Sequence, residues 1–171
     1  TRENHPQDID ILFAVSGPEP QRTVLEKLLF SQIGRIPGKK VMVLGKPEKN
    51  GTRRISNDLE VHEYATRSLM QNLFNRSRLI VARSGYSTLM EILELQKNAF
   101  FIPTPGQTEQ MYLANRLEQK GYFYSTRQDR LNLAEQIPEA LKYKGVPGNF
   151  KTQDSVKTIF QILSESLSSK F

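Results

Sequence analysis

Short apolar runs alternate along the chain with longer segments in which apolar residues recur at helical spacing. Ile9–Val15 is a nearly continuous apolar run that predicts a buried strand, and Gln21–Ile33 has the spacing of a helix. The polar segment Lys46–Asp58 predicts a loop or an exposed hairpin. Further short strands are predicted at Lys40–Leu44, Leu79–Ala82, Ala99–Ile102 and Tyr122–Tyr124, with a weaker one at Leu59–Tyr64.

Helices are predicted between these strands. Ser68 and Gln71 have the spacing of a capping box, which predicts a helix that runs to about Arg76. Pro138 lacks an amide hydrogen, so it should interrupt a helix within Leu131–Leu141. The other predicted helices are one whose Leu89, Ile92 and Leu93 share a face, one over Thr108–Lys120, and an amphipathic one within 153–171.

The alternation of short apolar strands with helices is typical of a parallel sheet that helices cover on both faces. The pattern therefore predicts a doubly wound α/β fold with a mainly parallel sheet. A length of 171 residues fits one domain over 1–171. Because the chain opens on Thr1 and not on a methionine, we expect it to be a domain of a longer protein.

Composition removes several classes of site. The absence of cysteine excludes disulfides, thiolate metal sites and cysteine nucleophiles. The chain has only two histidines, His5 and His62, which argues against a histidine-rich metal site. The net charge of +6 suits anionic partners. The basic residues are scattered, and no aromatic-bearing basic face is evident, which argues against a nucleic-acid binder.

Two turns stand out as candidate ligand sites. Doubly wound sheets bind ligands beyond the carboxyl ends of their strands, where the winding reverses. If the first strand is central, the turns at Ser16–Pro20 and Arg83–Thr88 lie side by side there, each leading into a helix. Helix N-termini offer free amide hydrogens and partial positive charge to a phosphate. Gly17 and Gly85 would allow close backbone approach, and Ser84, Ser87 and Thr88 carry hydroxyls.

A structural interpretation of the same residues stays open. Glycine and serine are ordinary residues of strand-to-helix turns. Thr88 and Glu91 also have the spacing of a capping box, in which Glu91 would bind a backbone amide and no ligand.

The stretch Ser77–Phe123 resembles the C-terminal, donor-binding half of glycosyltransferase family 28, the MurG-like family of the GT-B superfamily. That family has a strand, the pattern (S/R)-x-G-x-(S/T)-T-x-x-E, a strand ending in proline, and a helix with a glutamine and an A-N or N-A pair. The matching residues here are Arg83-Ser84-Gly85-Tyr86-Ser87-Thr88, Glu91, Pro103, Gln110 and Ala114-Asn115.

The resemblance implies a UDP-sugar bound in the cleft between two Rossmann-like domains. It places Glu91 on the ribose hydroxyls, and Glu109 and Gln110 on the hydroxyls of the sugar. Backbone within Tyr64–Ser68 would pair with uracil. The turn at Gly85, Ser87 and Thr88, with Gly17 opposite, is implied for the diphosphate, and Ser84 is implied as a further donor-binding residue.

The first turn departs from the family pattern. The family usually has a G-G-S-x-G loop where this chain has Ser16-Gly17-Pro18-Glu19-Pro20. Pro18 can supply neither an amide hydrogen nor a hydroxyl to that half of the phosphate site.

The function implied by the resemblance is UDP-sugar binding in an inverting glycosyltransferase. It would transfer GlcNAc or a related hexose to a lipid-linked or glycan acceptor, which could be membrane-associated. The sugar nucleotide is a substrate, and no cofactor or metal is expected. The catalytic groups would lie on an N-terminal domain, so the isolated chain should be inactive. A cytoplasmic location, or a peripheral one at the inner face of the membrane, is implied.

Two alternatives remain open at this point. The chain could be the small donor-binding subunit of a two-chain transferase, or it could belong to UDP-sugar epimerases or hydrolases of the same architecture. In the resembling enzymes the C-terminal segment crosses back towards the N-terminal domain. Phe160, Leu163 and Leu167 of the final helix should therefore be exposed in this chain alone.

Overall fold

The computed structural model describes residues 5–148 and 152–167, which form a seven-stranded sheet covered by helices. The strands are β1 (Ile9–Ala14), β2 (Lys40–Val43), β3 (Thr52–Ser56), β4 (Leu59–His62), β5 (Ser77–Ala82), β6 (Asn98–Phe101) and β7 (Tyr124–Ser125). The α-helices are α1 (Gln21–Ile33), α2 (Arg67–Arg76), α3 (Tyr86–Glu94), α4 (Thr108–Gln119), α5 (Leu133–Ala140) and α6 (Thr152–Leu167). A short 3-10 helix covers Gln128–Arg130.

The sheet is doubly wound, as the sequence predicts. Its strand order is β3-β4-β2-β1-β5-β6-β7, and every neighbouring pair is parallel except β3 and β4. From β1 the chain proceeds outward to β2 and the β3–β4 hairpin, then returns and proceeds outward on the other side through β5, β6 and β7. The winding therefore reverses between β1 and β5, which are hydrogen-bonded neighbours from Ile9↔Ser77 to Ala14↔Ala82.

Both faces of the sheet are buried, because the side chains of the central strands are divided between two different cores. In β1, Ile9 and Leu12 belong to the core under α2, α3, α4 and α6. Ile11 and Phe13 belong to the core under α1 and α5. Burial on both sides explains why these strands appear in the sequence as nearly continuous apolar runs.

The exposed hairpin predicted as one alternative for the polar segment 46–58 is confirmed: Thr52–Ser56 forms β3, an edge strand of five exposed residues that pairs antiparallel with β4. Two other element predictions are corrected in detail. The N-cap of α2 is Thr66, whose hydroxyl accepts the amide of Leu69 at 3.3 Å, so Ser68 is not the capping residue. Tyr122 completes the end of α4, where its amide donates to Leu117 at 3.0 Å, and the following strand starts at Tyr124.

The prediction that Pro138 interrupts a helix is wrong. Helix α5 continues through it to Ala140, and beyond the proline the amide of Leu141 still donates to the carbonyl of Ile137 at 3.0 Å. The missing amide removes one intrahelical bond in a helix that begins only five residues earlier. Buried Ile137 and Ala140 hold this last turn against the sheet.

The final helix packs on α3 and α4. Ile159 is fully buried there, whereas Phe160 is 62% exposed, as the sequence predicts. The side chains of Leu163 and Leu167 lie outside the described residues, and so does 168–171 of the segment predicted as helical.

Candidate functional site

The two candidate turns lie side by side at the carboxyl edge of the sheet, because β1 and β5 are parallel neighbours in register up to Ala14↔Ala82. Gly17 has a φ of +112°, a conformation that other residues rarely adopt. A β-carbon there would lie 3.5 Å from Thr104 Oγ1 and 3.8 Å from Arg83 Nε. The β1–α1 turn therefore packs closely on the groups beneath it.

Helix α3 begins with an open N-terminus. Gly85 is its N-cap residue, and no side chain caps the helix. The first amide to bond back within the helix is that of Leu89, which donates to the carbonyl of Gly85 at 3.0 Å. The amides of Tyr86, Ser87 and Thr88 precede that bond and point out of the helix end. The end of α3 can therefore bind an anion through amide hydrogens and the helix dipole.

Glu91 lies one turn into α3 and is not a cap. Since the helix starts at Tyr86, Thr88 is its third residue, so the capping-box interpretation of Thr88 and Glu91 is wrong. Glu91 is half-buried, and none of the described residues hydrogen-bonds to its carboxylate. Burial raises the pKa of Glu91 above its ordinary value, an effect that Arg67 opposes and Glu94 reinforces. This carboxylate retains its full capacity to accept hydrogen bonds from a ligand.

The N-terminus of α1 is closed by the chain's own carboxylate. Glu19 Oε2 accepts the amide of Thr23 at 3.2 Å, and Glu19 also pairs with Arg22. Arg22 is anchored in turn by Glu26 at 3.0 Å and by the carbonyl of Leu44 at 3.1 Å. Hydrogen bonds from Thr23, with a further contribution from Arg22, lower the pKa of Glu19. An anion therefore already occupies this helix end.

Ser84 and Gln110 connect the β5–α3 turn to the β6–α4 loop. The buried hydroxyl of Ser84 donates to the carbonyl of Gln110 at 2.8 Å. Gln110 Oε1 accepts the amide of Thr104 at 2.9 Å, and its Nε2 donates to Gln107 Oε1 at 2.7 Å. Both side chains are engaged within the protein, so in this conformation they shape the edge of the site.

The remaining predicted residues face solvent near the same edge. Ser87 and Glu109 are exposed, and Thr88 is half-buried. Burial raises the pKa of Tyr86, and the nearby Glu109 carboxylate adds to that shift. Glu109, in the first turn of α4, therefore lies close to the first residue of α3.

Arg83 is a residue of this site that the sequence reasoning did not assign. Its side chain is buried, with 2% exposure, directly after β5. It donates to carbonyls of both flanking turns, and burial lowers the pKa of Arg83 to about 10. The sequence signal for its burial is its position. Arg83 follows an apolar strand directly, whereas a solvent-exposed charge would be expected to follow a longer turn.

A cavity of about 660 Å³ opens beside the β6–α4 loop. Its lining includes Val24 and Leu28 of α1, Pro103, Met111 and Gln128. A second cavity of about 460 Å³ lies near Asp10 and Gly38, at the opposite edge of the sheet. None of the predicted donor-site residues lines either of these two cavities.

Two further properties concern the described part of the chain only. Within 5–148 and 152–167, no group of three or more metal-ligating side chains is gathered. In the same ranges, none of the helices has both the length and the apolar character needed to cross a bilayer.

Comparison with protein families gives one match that covers most of the sheet and the motif of the β5–α3 turn. The model of the glycosyltransferase family 28 C-terminal domain matches residues 17–161, which is most of the chain. The chain belongs to this family. The family 28 match includes both candidate turns, Glu91 and the β6–α4 loop. No curated protein sequence matches the chain.

Solved structures share the fold of this family 28 domain at low identity. SnogD from Streptomyces nogalater, a glycosyltransferase, is 18% identical, with a TM-score of 0.60 over 92% of this chain and 39% of its own. MurG from Acinetobacter baumannii is 18% identical, with a TM-score of 0.59 over 91% of this chain and 45% of its own. ALG13 is 11% identical, with a TM-score of 0.59 over 84% of this chain and 91% of its own. The chain spans less than half the length of SnogD and MurG.

Proposed function

We propose that this domain binds the UDP-sugar donor of an inverting glycosyltransferase. The observation that carries the proposal is the open N-terminus of α3, with the half-buried Glu91 carboxylate one turn further along. An anion site and a hydrogen-bond acceptor at this separation suit a nucleotide, whose diphosphate and ribose diol need these two partners. The family 28 membership supports the same assignment.

The proposed roles follow from what each group offers. At the turn that begins with Gly85, the open amides of Tyr86, Ser87 and Thr88 donate to the diphosphate, and the positive end of the α3 dipole stabilises its charge. Glu91 accepts hydrogen bonds from the two ribose hydroxyls. The carboxylate of Glu109, which is exposed, accepts a hydrogen bond from a hydroxyl of the sugar in this proposal.

The α1 end contributes less to the diphosphate in this proposal. Glu19 accepts the amide of Thr23, the amide of Arg22 donates to the carbonyl of Pro18, and Pro18 has no amide hydrogen. Gly17 serves the site through its close backbone packing beneath the turn. Because the α3 dipole and amides stabilise the diphosphate, the proposed donor complex needs no metal ion.

The whole enzyme in this proposal has a second domain N-terminal to this one, which supplies the acceptor site and the catalytic base. It transfers GlcNAc or a related hexose to a lipid-linked or glycan acceptor at the cytoplasmic face of the membrane. The 39% and 45% of SnogD and MurG that the chain covers leave room for such a domain.

A second candidate function is the small donor-binding subunit of a two-chain transferase. One observation favours it: the chain covers 91% of ALG13, so a protein of this architecture exists with nearly this length. Both candidates share the donor site, and they differ in whether the second domain lies on the same chain.

Calorimetry with UDP tests the shared donor site. We expect the isolated domain to bind UDP, with an affinity that Mg²⁺ and Mn²⁺ change little, because α3 supplies the positive potential. It should transfer no sugar from UDP-GlcNAc to added acceptors. Binding that strictly requires a divalent ion would contradict the proposed role of α3, and an absence of UDP binding would contradict the donor assignment itself.

A further inference from the structure

Arg83 carries a buried charge for which the fold supplies no acidic counter-ion. Its side chain is 2% exposed, and within the described residues no carboxylate forms an ion pair with it. Burial of a charge in this way costs several kcal/mol even after the surroundings relax. A neutral side chain could join the neighbouring turns without that cost. The retained charge therefore calls for an explanation in terms of the site.

The guanidinium joins the two turns that flank β5. It donates to Ser16 and Gln21 in the β1–α1 region, at 3.4 and 3.1 Å, and to Ile102 and Pro103 after β6, at 3.1 and 3.2 Å. All four acceptors are backbone carbonyls. Carbonyl groups are dipoles without net charge, so the cluster that they form with the guanidinium keeps its net positive charge.

Gly17 brings the turn surface close to this charge. The position that a β-carbon would occupy on Gly17 lies 3.8 Å from Arg83 Nε, so the backbone of the turn packs directly against the guanidinium. Thr104 contributes to the same layer: its Oγ1 is buried without a hydrogen-bond partner among the described residues and lies 3.5 Å from that position. The guanidinium therefore lies directly against the β1–α1 turn.

We propose that Arg83 is a positioning residue whose buried positive charge strengthens the binding of the nucleotide's diphosphate at the N-terminus of α3, a helix that begins three residues after Arg83. This inference rests on the proposed donor site. The guanidinium does not contact the ligand; it fixes the two loops and adds positive potential beneath them. In a medium that screens weakly, that potential acts over several ångströms. Its effect therefore scales with the negative charge of the ligand.

A matched pair of variants separates charge from structure. Arg83→Lys keeps the charge, whereas Arg83→Gln keeps hydrogen-bond donors and removes it. Affinities of both variants and of the parent are measured for UDP, UMP and uridine, which carry decreasing negative charge. We expect Arg83→Gln to weaken the binding of UDP about tenfold, that of UMP by a smaller factor, and that of uridine less than twofold. Arg83→Lys should keep the UDP-to-uridine affinity ratio within about threefold of the parent.

The outcomes separate a failure of this inference from a failure of the donor site. If the parent does not bind UDP, the donor site is wrong. If the parent binds UDP and Arg83→Gln weakens all three ligands equally, Arg83 acts through loop structure alone and the inference is overturned. The inference is also overturned if Arg83→Lys lowers the UDP-to-uridine affinity ratio as much as Arg83→Gln does. Arg78→Gln, at an exposed arginine on the opposite edge, is the control and should leave the ratio unchanged.

A measurement on the unaltered chain covers the case in which the variants fail to fold. The Nε–H resonance of Arg83, buried and hydrogen-bonded, is followed by NMR during titration with UDP and with uridine. We expect UDP to shift it and uridine to leave it in place. Equal shifts with both ligands, or none with either while UDP binds, would overturn the role of the charge.

Discussion

The two strand-to-helix turns at the centre of the sheet occupy equivalent positions but differ in how their helix ends are satisfied. At α1 the carboxylate of Glu19 binds the amide of Thr23 and pairs with Arg22. At α3 Gly85 offers no side chain, and the first amides have no partner within the helix. One turn supplies its own anion, and the other is left open to an external one. Two turns at equivalent positions of a doubly wound sheet can therefore differ in their chemistry.

The largest expected effect concerns Glu91, on the open side. Loss of charge-assisted hydrogen bonds to the ribose diol costs about 1.5–3 kcal/mol. Glu91→Gln should therefore weaken UDP about ten- to hundredfold, as measured by calorimetry. It should weaken 2′-deoxy-UDP much less, since one of the two hydroxyls is already missing. Because Glu91 caps nothing, the melting temperature should change little.

The matched control for this prediction is Glu94→Gln, an exposed carboxylate near the end of the same helix. It should leave UDP affinity unchanged. If Glu91→Gln binds UDP as tightly as the parent, the donor-site assignment fails.

Replacement of Gly17 and of Gly85 by alanine should lower the free energy of unfolding by different amounts. Gly17 has a φ of +112°, so Gly17→Ala should destabilise the fold by about 1–3 kcal/mol. Gly85 has a φ of −73°, and its β-carbon would make an ordinary contact at 3.8 Å with Gln110 Nε2. Gly85→Ala should change the free energy of unfolding by less than about 0.5 kcal/mol. Urea denaturation measures both, and equal losses would contradict this distinction.

The smallest expected effect is a pH dependence of opposite sign at the two turns. The pKa of Glu19 is lowered in the fold, so its charge stabilises the protein above the unfolded pKa, and that contribution disappears as pH falls through the folded pKa. Glu91 has a raised pKa, so its ionisation opposes folding near neutral pH and this penalty disappears on acidification. At pH 7, Glu19→Gln should lower the melting temperature and Glu91→Gln should not.

Melting curves of both variants between pH 7 and pH 3 measure this difference. As the pH falls, Glu91→Gln should approach the parent at a higher pH than Glu19→Gln does, because the pKa of Glu91 is raised and that of Glu19 is lowered. A Glu19→Gln variant as stable as the parent at pH 7 would show that Glu19 does not close α1 in solution.

The sequence predicts the scaffold of the site well, because the scaffold depends on local periodicity. Helix α1 is predicted at its observed bounds, Gln21–Ile33, and the reversal of winding between β1 and β5 follows from the order of the elements. The position of Gly85 at the start of a helix also follows from the pattern.

The state of each side chain could not be predicted in the same way, because it depends on contacts between distant segments. The four carbonyls that bind Arg83 come from turns about 20 to 67 residues away. Gln110 is engaged by Thr104 within a loop whose conformation no periodicity defines. The error at Thr88 was one of register: a glycine N-cap starts α3 earlier than a threonine cap would.

One edge of the sheet has a consequence for how the molecule behaves at high concentration. Strand β3 ends the sheet with unpaired backbone groups, which could recruit a strand from another molecule. Its residues are all exposed, it carries Arg53 and Arg54, and its pairing with β4 is irregular between Arg54 and Ser56. Like charges and a kink both oppose an intermolecular ladder. The hairpin therefore terminates the sheet in a form that disfavours aggregation through strand addition.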